Sequence, residues 1–383
     1  MALHFSREEF AGRIERTCAA MRAERLDAML CFRQESMYWL TGYDTFGYVY
    51  FQCLVLTADG RMALLTRSAD LRQAQITSII GDIRIWEDRE GANPADDLRD
   101  LLSEFDLDGA RVGVELEAYG LTGRSLRRLD RALDGFCAMT DASLLVSRLR
   151  LVKSAAEIAF VERAAELGDA AFDAALETAG PGAFEGDVLA AMQGAVFRGG
   201  GDYSGNEFII GSGEHALLCR YQVGRRQIDA EDQLTLEWAG VYRRYHAALM
   251  RTLPVGRTTA RHRGLHAAAA DALQACEAAL KPGAAMSEVF QAHADTLDRA
   301  GLREHRLNAC GYALGTTFAP NWMDWPMFYR DNPVEIGPGM VFFLHMILAD
   351  SDTGTAMTLG RTSLVTETGH RVLNRHPLDL VQV

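Results

Sequence analysis

The chain has 383 residues, 48% of them hydrophobic and 24% charged, with a formal net charge of −13. That length exceeds one ordinary core and implies about two domains in a soluble globular protein. The acidic balance argues against a nucleic-acid or anionic-membrane partner, and no apolar run approaches the ~20 residues of a membrane-spanning helix.

The N-terminus, MALHFSREEF, lacks an apolar signal core, and Ser6 with Glu9 three residues on predicts a capped amphipathic helix. LDAMLCF (26–32) predicts a buried strand, and YVYFQCLVLTADGRMALLT (48–66) two strands joined at Ala-Asp-Gly. IRIW (83–86) and RVGVELE (111–117) predict further strands, with helical patterns near 95–105 and 122–134. This alternation marks an α/β domain over residues 1–148. RLRLVKSAAEIAFVERAAELGDAAFDAAL (148–176) predicts one long helix, with Ser154 as N-cap and Glu157 completing a capping box. The boundary falls just ahead of it, leaving 149–383 as a second domain. The seven cysteines are scattered, odd in number and form no Cys-x-x-Cys pair, which fits free thiols in a reducing cytoplasm.

The second domain contains a repeat. PGAFEGDVLAAMQGAVFRGG (181–200) and PGAAMSEVFQAHADTLDRAG (282–301) align without a gap, each opening on Pro-Gly-Ala and closing on Gly. A duplication predicts two helix-plus-strand halves around one curved sheet, with a site where the halves meet. LEWAGVYRRYHAALMRT (236–252) has the layout of a β-hairpin.

These pieces, together with VKSAAEI (152–158), Arg251-Thr252, PGMV (338–341) and LVTETG (364–369), resemble the pita-bread enzymes: creatinase, prolidase, Xaa-Pro aminopeptidases and methionine aminopeptidase. The likeness covers nearly the whole chain. It implies an α/β N-terminal domain and an α+β C-terminal pita-bread domain with an internal pseudo-two-fold repeat. Peptidases of that family hold two divalent metals with two Asp, one His and two Glu. The resemblance places those five positions on Glu237, Ala248, Tyr312, His345 and Gly360, and a further family His on Arg220. A pair of divalent ions needs several bridging carboxylates. One carboxylate and one imidazole do not supply them, so the expectation is no metal and no cofactor. Creatinase works without metal, and AALMRTL (247–253) is close to the end of its hairpin, but Met250 and Arg220 replace its functional Glu and His. The ectoine hydrolases, which open a cyclic amidine, also lack the metal set and carry a turn like Gly311-Tyr312. They are the nearer resemblance.

The expected function is a metal-independent hydrolase for a non-peptide C–N bond in a small zwitterionic amidine, guanidine or cyclic amide. Glu237, His345, His246 and Tyr312 are the candidate catalytic groups. Strand alternation puts Glu237 on one face with Thr235 and Ala239, and His246 on the face of Ala248 and Met250. Arg220 and Arg361 flank vacated ligand positions and suit a substrate carboxylate. NWMDWPMFYRDNP (321–333) reads as an aromatic loop in which Trp322 and Trp325, with Asp324, wall a small cation. Tyr43, Asp44 and Phe46 lie in the stretch from which creatinase-type dimers lend residues to the neighbouring site, which implies a homodimer. Two other readings compete. One is a single-ion site on Glu237, His345 and His246 for peptide or lyase chemistry; the other is a non-catalytic small-ligand binder on an inactivated peptidase scaffold.

Overall fold

Ser6 opens the first helix as predicted: its Oγ accepts the Glu9 N–H at 3.2 Å, and α1 spans Arg7–Ala23. The structure, a computed structural model, describes residues 3–222 and 224–383. It divides into two units, Met1–Arg150 and Leu151–Val383.

The first unit is built on a six-stranded sheet of β1 (Ala28–Cys31), β2 (Cys53–Thr57), β3 (Met62–Arg67), β4 (Ile83–Trp86), β5 (Arg111–Val114) and β6 (Ala138–Asp141), in the order β4-β3-β2-β1-β5-β6. β2 is antiparallel to both its neighbours, and the remaining pairings are parallel. Between the strands run α2 (Gln34–Thr41), α3 (Leu71–Thr77), α4 (Pro94–Glu104) and α5 (Gly123–Leu133). The central strands are apolar on both faces because helices cover both: Leu30, Val55 and Val112 pack with Leu98 and Leu129, while Met29, Leu54 and Leu64 pack with Trp39. The strand expected from residue 48 begins only at Cys53, because the Thr45 hydroxyl takes the Gly47 N–H at 2.8 Å and a 3-10 turn occupies Gly47–Val49.

The single helix expected over 148–176 is two, α6 (Leu145–Leu151) and α7 (Ala155–Thr178). The break is made by pairing: Val152 bridges Met340, and the Lys153 N–H donates to the Gly339 carbonyl. Ser154 and Glu157 then form the predicted capping box. In the second unit α7 pairs with α8 (Glu185–Arg198), and α9 (Ala260–Ala279) with α10 (Met286–Arg299). α8 and α10 each end before a left-handed glycine, Gly200 and Gly301, at φ 83° and 72°, where any Cβ is strained. Matching bridges, Phe184 to Gln227 and Ala285 to Glu335, precede the two helices. The sequence repeat is therefore a repeat of structure.

Both halves share one sheet formed by β7 (Ile209–Ser212), β8 (Asp232–Tyr242), β9 (Tyr245–Val255), β10 (Ala309–Ala313), β11 (Asp324–Tyr329), β12 (Val341–Asp350), β13 (Thr355–Val365) and β14 (His370–Val372). The order is β11-β10-β12-β13-β9-β8-β7, with β14 on β13. Arg243 and Arg244, both with positive φ, make the two-residue turn between β8 and β9. One face of β12 (Phe342, Leu344, Met346) packs under Leu273 of α9 and Phe290 and Leu297 of α10. Phe343 and His345 are left for the other face. No helix among the described residues is long and apolar enough to cross a membrane.

Candidate active site

The ladder registers set the site. His345 stands opposite Gly360, Gly360 opposite Met250, and Met250 opposite Glu237, one row across β12, β13, β9 and β8. Tyr312 of β10 stands opposite Phe343, two residues from His345 on the same face. Four strand spacings of about 4.8 Å separate β10 from β8 along the ladder, yet Tyr312 Oη lies 3.4 Å from Glu237 Oε1. The sheet curls enough to bring its two halves together, and a cavity of about 380 Å³ results. Its wall includes Glu237, Tyr312, Trp322, His345, Arg220 and Cys219.

Burial dominates the electrostatics. It pushes the Glu237 carboxyl up to about 7, against the opposing pull of Arg220 and the Tyr312 hydrogen bond. It pushes the His345 imidazole down to about 3, helped by His293 and Arg220, so this ring is neutral at ordinary pH. His345 Nδ1 is buried and has no hydrogen-bond partner among the described residues. The Tyr312 phenol is held well above its usual value by burial and by Glu237, and it stays protonated. Trp322 Nε1 meets Tyr312 Oη at 2.7 Å. Arg220 is exposed at the cavity and makes no hydrogen bond or ion pair with the described residues.

Four expected site residues lie outside this cavity. His246 faces the same side as Met250 but sits four residues before it on β9, where its Nε2 accepts the Gly205 N–H at 2.8 Å and its Nδ1 meets the Arg244 carbonyl at 2.9 Å. Both nitrogens are spent on backbone. Arg361 stands opposite Leu344, on the helix-facing side, and forks onto both oxygens of Glu277 of α9 at 2.7 Å. The stretch expected as an aromatic loop contains strand β11; within it Trp325 packs on the helix-side core. Asp324 accepts the Trp325 N–H at 2.9 Å and lies with Lys153 around Gly315, outside the cavity wall. Tyr43 is buried in the first unit with its hydroxyl on Gln52 Oε1 at 3.1 Å, whereas Phe46 is exposed. Cys219 went unread in the sequence because a loop residue carries no periodicity to place it.

A dinuclear metal centre does not fit this wall. Among the described residues lining it, Glu237 is the one carboxylate and His345 the one imidazole. Burial drives the first toward its neutral form. At position 360 there is no room for a ligand, since a Cβ would stand 2.8 Å from Phe343 Cε2 and 2.9 Å from the Leu344 carbonyl oxygen. The described residues do bring His305, Asp350 and Asp352 together away from the cavity, but there Arg261 holds Asp350 at 2.6 Å.

Residues 159–367 match the family model described as metallopeptidase family M24, and residues 13–152 match the creatinase/prolidase N-terminal domain. The uncharacterized hydrolase/peptidase y4tM of Sinorhizobium fredii is 30% identical over 391 residues, covering 99% of this chain and 98% of that protein. The ectoine hydrolase of Halomonas elongata is 27% identical over 400 residues, covering 99% and 98%. In fold, the chain is similar to the prolidase of Thermococcus sibiricus, with a TM-score of 0.88 at 18% identity over 98% of this chain and 99% of that one.

Proposed function

The chain belongs to metallopeptidase family M24, a family of hydrolases, and we propose that this member hydrolyses a C–N bond other than a peptide bond, without metal, in a small zwitterionic amidine, guanidine or cyclic amide. One observation carries the reading: the one buried carboxyl among the described residues lining the cavity, Glu237, pushed up to about 7, shares it with the Arg220 guanidinium, which no described residue pairs with, and a neutral imidazole. A carboxyl that titrates near neutrality both takes and returns a proton at working pH. The full-length likeness to a protein named ectoine hydrolase supports the same substrate class.

In this reading Arg220 holds the substrate carboxylate through two parallel hydrogen bonds. Glu237 takes a proton from the attacking water as its oxygen bonds to the carbon of the C–N bond. Tyr312, kept protonated, donates its one hydrogen to Glu237 Oε1 and holds the carboxylate in place for that step. Glu237 then returns its proton to the nitrogen as the C–N bond breaks, so one water adds across that bond, splitting an open-chain substrate or opening a ring. His345, neutral and part of the cavity wall, accepts a hydrogen bond from a substrate N–H. The cavity of about 380 Å³ limits the substrate to a compact molecule.

The reading also takes the protein to be a cytoplasmic homodimer, supported by its free thiols and by the exposed Phe46, Val49 and Tyr50 on one short segment. The experiment for the substrate is a thermal-shift panel of ectoine, hydroxyectoine, creatine, guanidino acids and proline dipeptides, followed by mass spectrometry of each hit. Stabilisation by a cyclic amidine or guanidino acid, with a product one water heavier or split, is expected. Turnover of the dipeptides alone would overturn the assignment.

A further inference from the structure

Trp322 stands out once the hydrogens in the cavity wall are counted. An indole N–H only donates, so the 2.7 Å contact between Trp322 Nε1 and Tyr312 Oη runs in one direction, from Trp322 to Tyr312. The phenol has one hydrogen of its own. With one lone pair taken by the indole, that hydrogen points onward, and the described acceptor within reach is Glu237 Oε1 at 3.4 Å. Trp322 is itself only 1% exposed, so its ring contributes little open surface for a ligand, and its N–H is the part that acts on the site.

We infer that Trp322 is a positioning residue: its indole N–H fixes the direction of the Tyr312 hydroxyl, which donates to Glu237 Oε1 and leaves Oε2 as the oxygen that gains and loses the proton. The chain indole, phenol, carboxyl is polarised one way, and each donor strengthens the next. It explains why a tryptophan stands in the cavity wall with so little of its ring open to solvent. It also gives Glu237 a defined proton-bearing oxygen, which a base that must collect a proton from water and deliver it to nitrogen requires. The charged and titratable groups that face Glu237 around the cavity are Arg220, Cys219, Tyr312 and His345. Of these, Arg220 and Tyr312 act on its ionisation and both favour the charged form.

The inference rests on Glu237 as the proton carrier of the proposed reaction, but its test needs no substrate. Infrared difference spectroscopy follows the carboxyl C=O band with pH, and Glu237→Gln identifies the band by removing it. Tyr312→Phe is expected to raise the Glu237 midpoint by about half to one pH unit, through loss of a hydrogen bond to the charged form. Trp322→Phe, which keeps the apolar ring and deletes the N–H, is expected to raise it in the same direction. The double variant should match Tyr312→Phe alone, because the indole acts only through the phenol. A midpoint that moves in Tyr312→Phe and stays in Trp322→Phe, or stays in both, overturns the inference. Should Trp322→Phe fail to fold, protein labelled with a fluorinated tryptophan, whose N–H is a stronger donor, replaces it. Its midpoint is expected to fall, with the fall abolished in Tyr312→Phe; an unmoved midpoint again overturns the inference. Midpoints that shift as described in a protein that hydrolyses nothing would sink the proposed reaction and leave the role of Trp322 standing.

Discussion

The Phe343 ring occupies the space that a side chain at Gly360 would need, with Cε2 2.8 Å from the place of a Cβ. The two residues lie on adjacent strands beside His345, whose cross-strand partner is Gly360 itself. A position that resemblance matches to a metal-binding glutamate is thus filled from the neighbouring strand by an aromatic ring, which in turn packs edge-on against Tyr312 at 5.5 Å. Gly360→Glu should therefore destabilise the fold by about 1–3 kcal/mol through overpacking and confer no metal affinity. Urea denaturation and metal titration by calorimetry check the two halves of that expectation. Tight stoichiometric binding of a divalent ion to Gly360→Glu would mean the ring yields easily and the site is closer to a metal centre than its packing indicates.

Glu237→Gln is expected to lower kcat by roughly a hundred- to ten-thousand-fold with the fold intact. In the unaltered protein the rate should rise with pH through about 7 as the carboxylate forms. Steady-state kinetics across pH 5.5–8.5, a range of about one and a half units on either side, reads both. A rate that is flat across that range would remove Glu237 as the base.

The same carboxyl has a stability signature of definite sign. Its folded value is raised from 4.5 to about 7, so the folded state holds a proton that the unfolded state has lost. The stabilisation is fully present below about 4.5 and is lost as pH rises through about 7. Its full extent is about 3 kcal/mol. The stability of the unaltered protein relative to Glu237→Gln should fall by an amount of that order between pH 5 and 8, measured by urea denaturation at each pH.

Buried histidines act with the opposite sign. Burial pushes His246 and His293 down to about 4, and His345 to about 3, from 6.5. Each is neutral in the fold and protonates on unfolding in acid. Their contribution is complete above 6.5 and is lost as pH falls toward 4. The full extent is about 3 kcal/mol each for His246 and His293 and about 5 kcal/mol for His345. His246→Asn should flatten the acid limb of a pH–stability curve between pH 6.5 and 4, in addition to any constant loss from the broken contact with the Gly205 N–H. An unchanged slope would mean that His246 is solvated.

Arg220→Ala should raise KM for a carboxylate-bearing substrate by roughly ten- to a hundredfold while changing kcat far less, since a charged hydrogen-bonded pair is lost equally from ground and transition states. Arg220→Lys should recover only part, because an ammonium cannot fork onto a carboxylate. Equal losses in kcat and kcat/KM for Arg220→Ala would instead place the guanidinium on the reacting centre.

What was legible in the sequence was local or periodic. The N-cap of Ser6, the capping box of Ser154, the repeat that became α8 and α10, and the hairpin of β8 and β9 all announce themselves within a few residues. Strand parity set the faces of Glu237, His345 and Tyr312, which the curled sheet brings into one cavity. Parity does not measure distance along a strand, and His246 shows the cost: right face, wrong depth. Arg361 failed for the converse reason, being one residue from Gly360 and therefore on the helix side with Glu277. The break between α6 and α7 depends on Met340 and Gly339, nearly two hundred residues away in the chain, and no helical propensity reveals a partner so remote. Ala248 and Gly360 looked like unexplained losses until the neighbouring strand supplied the Phe343 ring that accounts for the second; nothing in the structure explains the first.

The central claim is that side chains alone carry the reaction in a cavity whose resemblance points to paired ions. The most direct measurement is the hydrolysis rate of a panel hit by protein stripped exhaustively with chelator and then resupplied with divalent manganese, zinc or cobalt. The account requires an undiminished rate in the stripped protein and no gain on resupply. A rate that vanishes with the chelator and returns with one of the ions would contradict it.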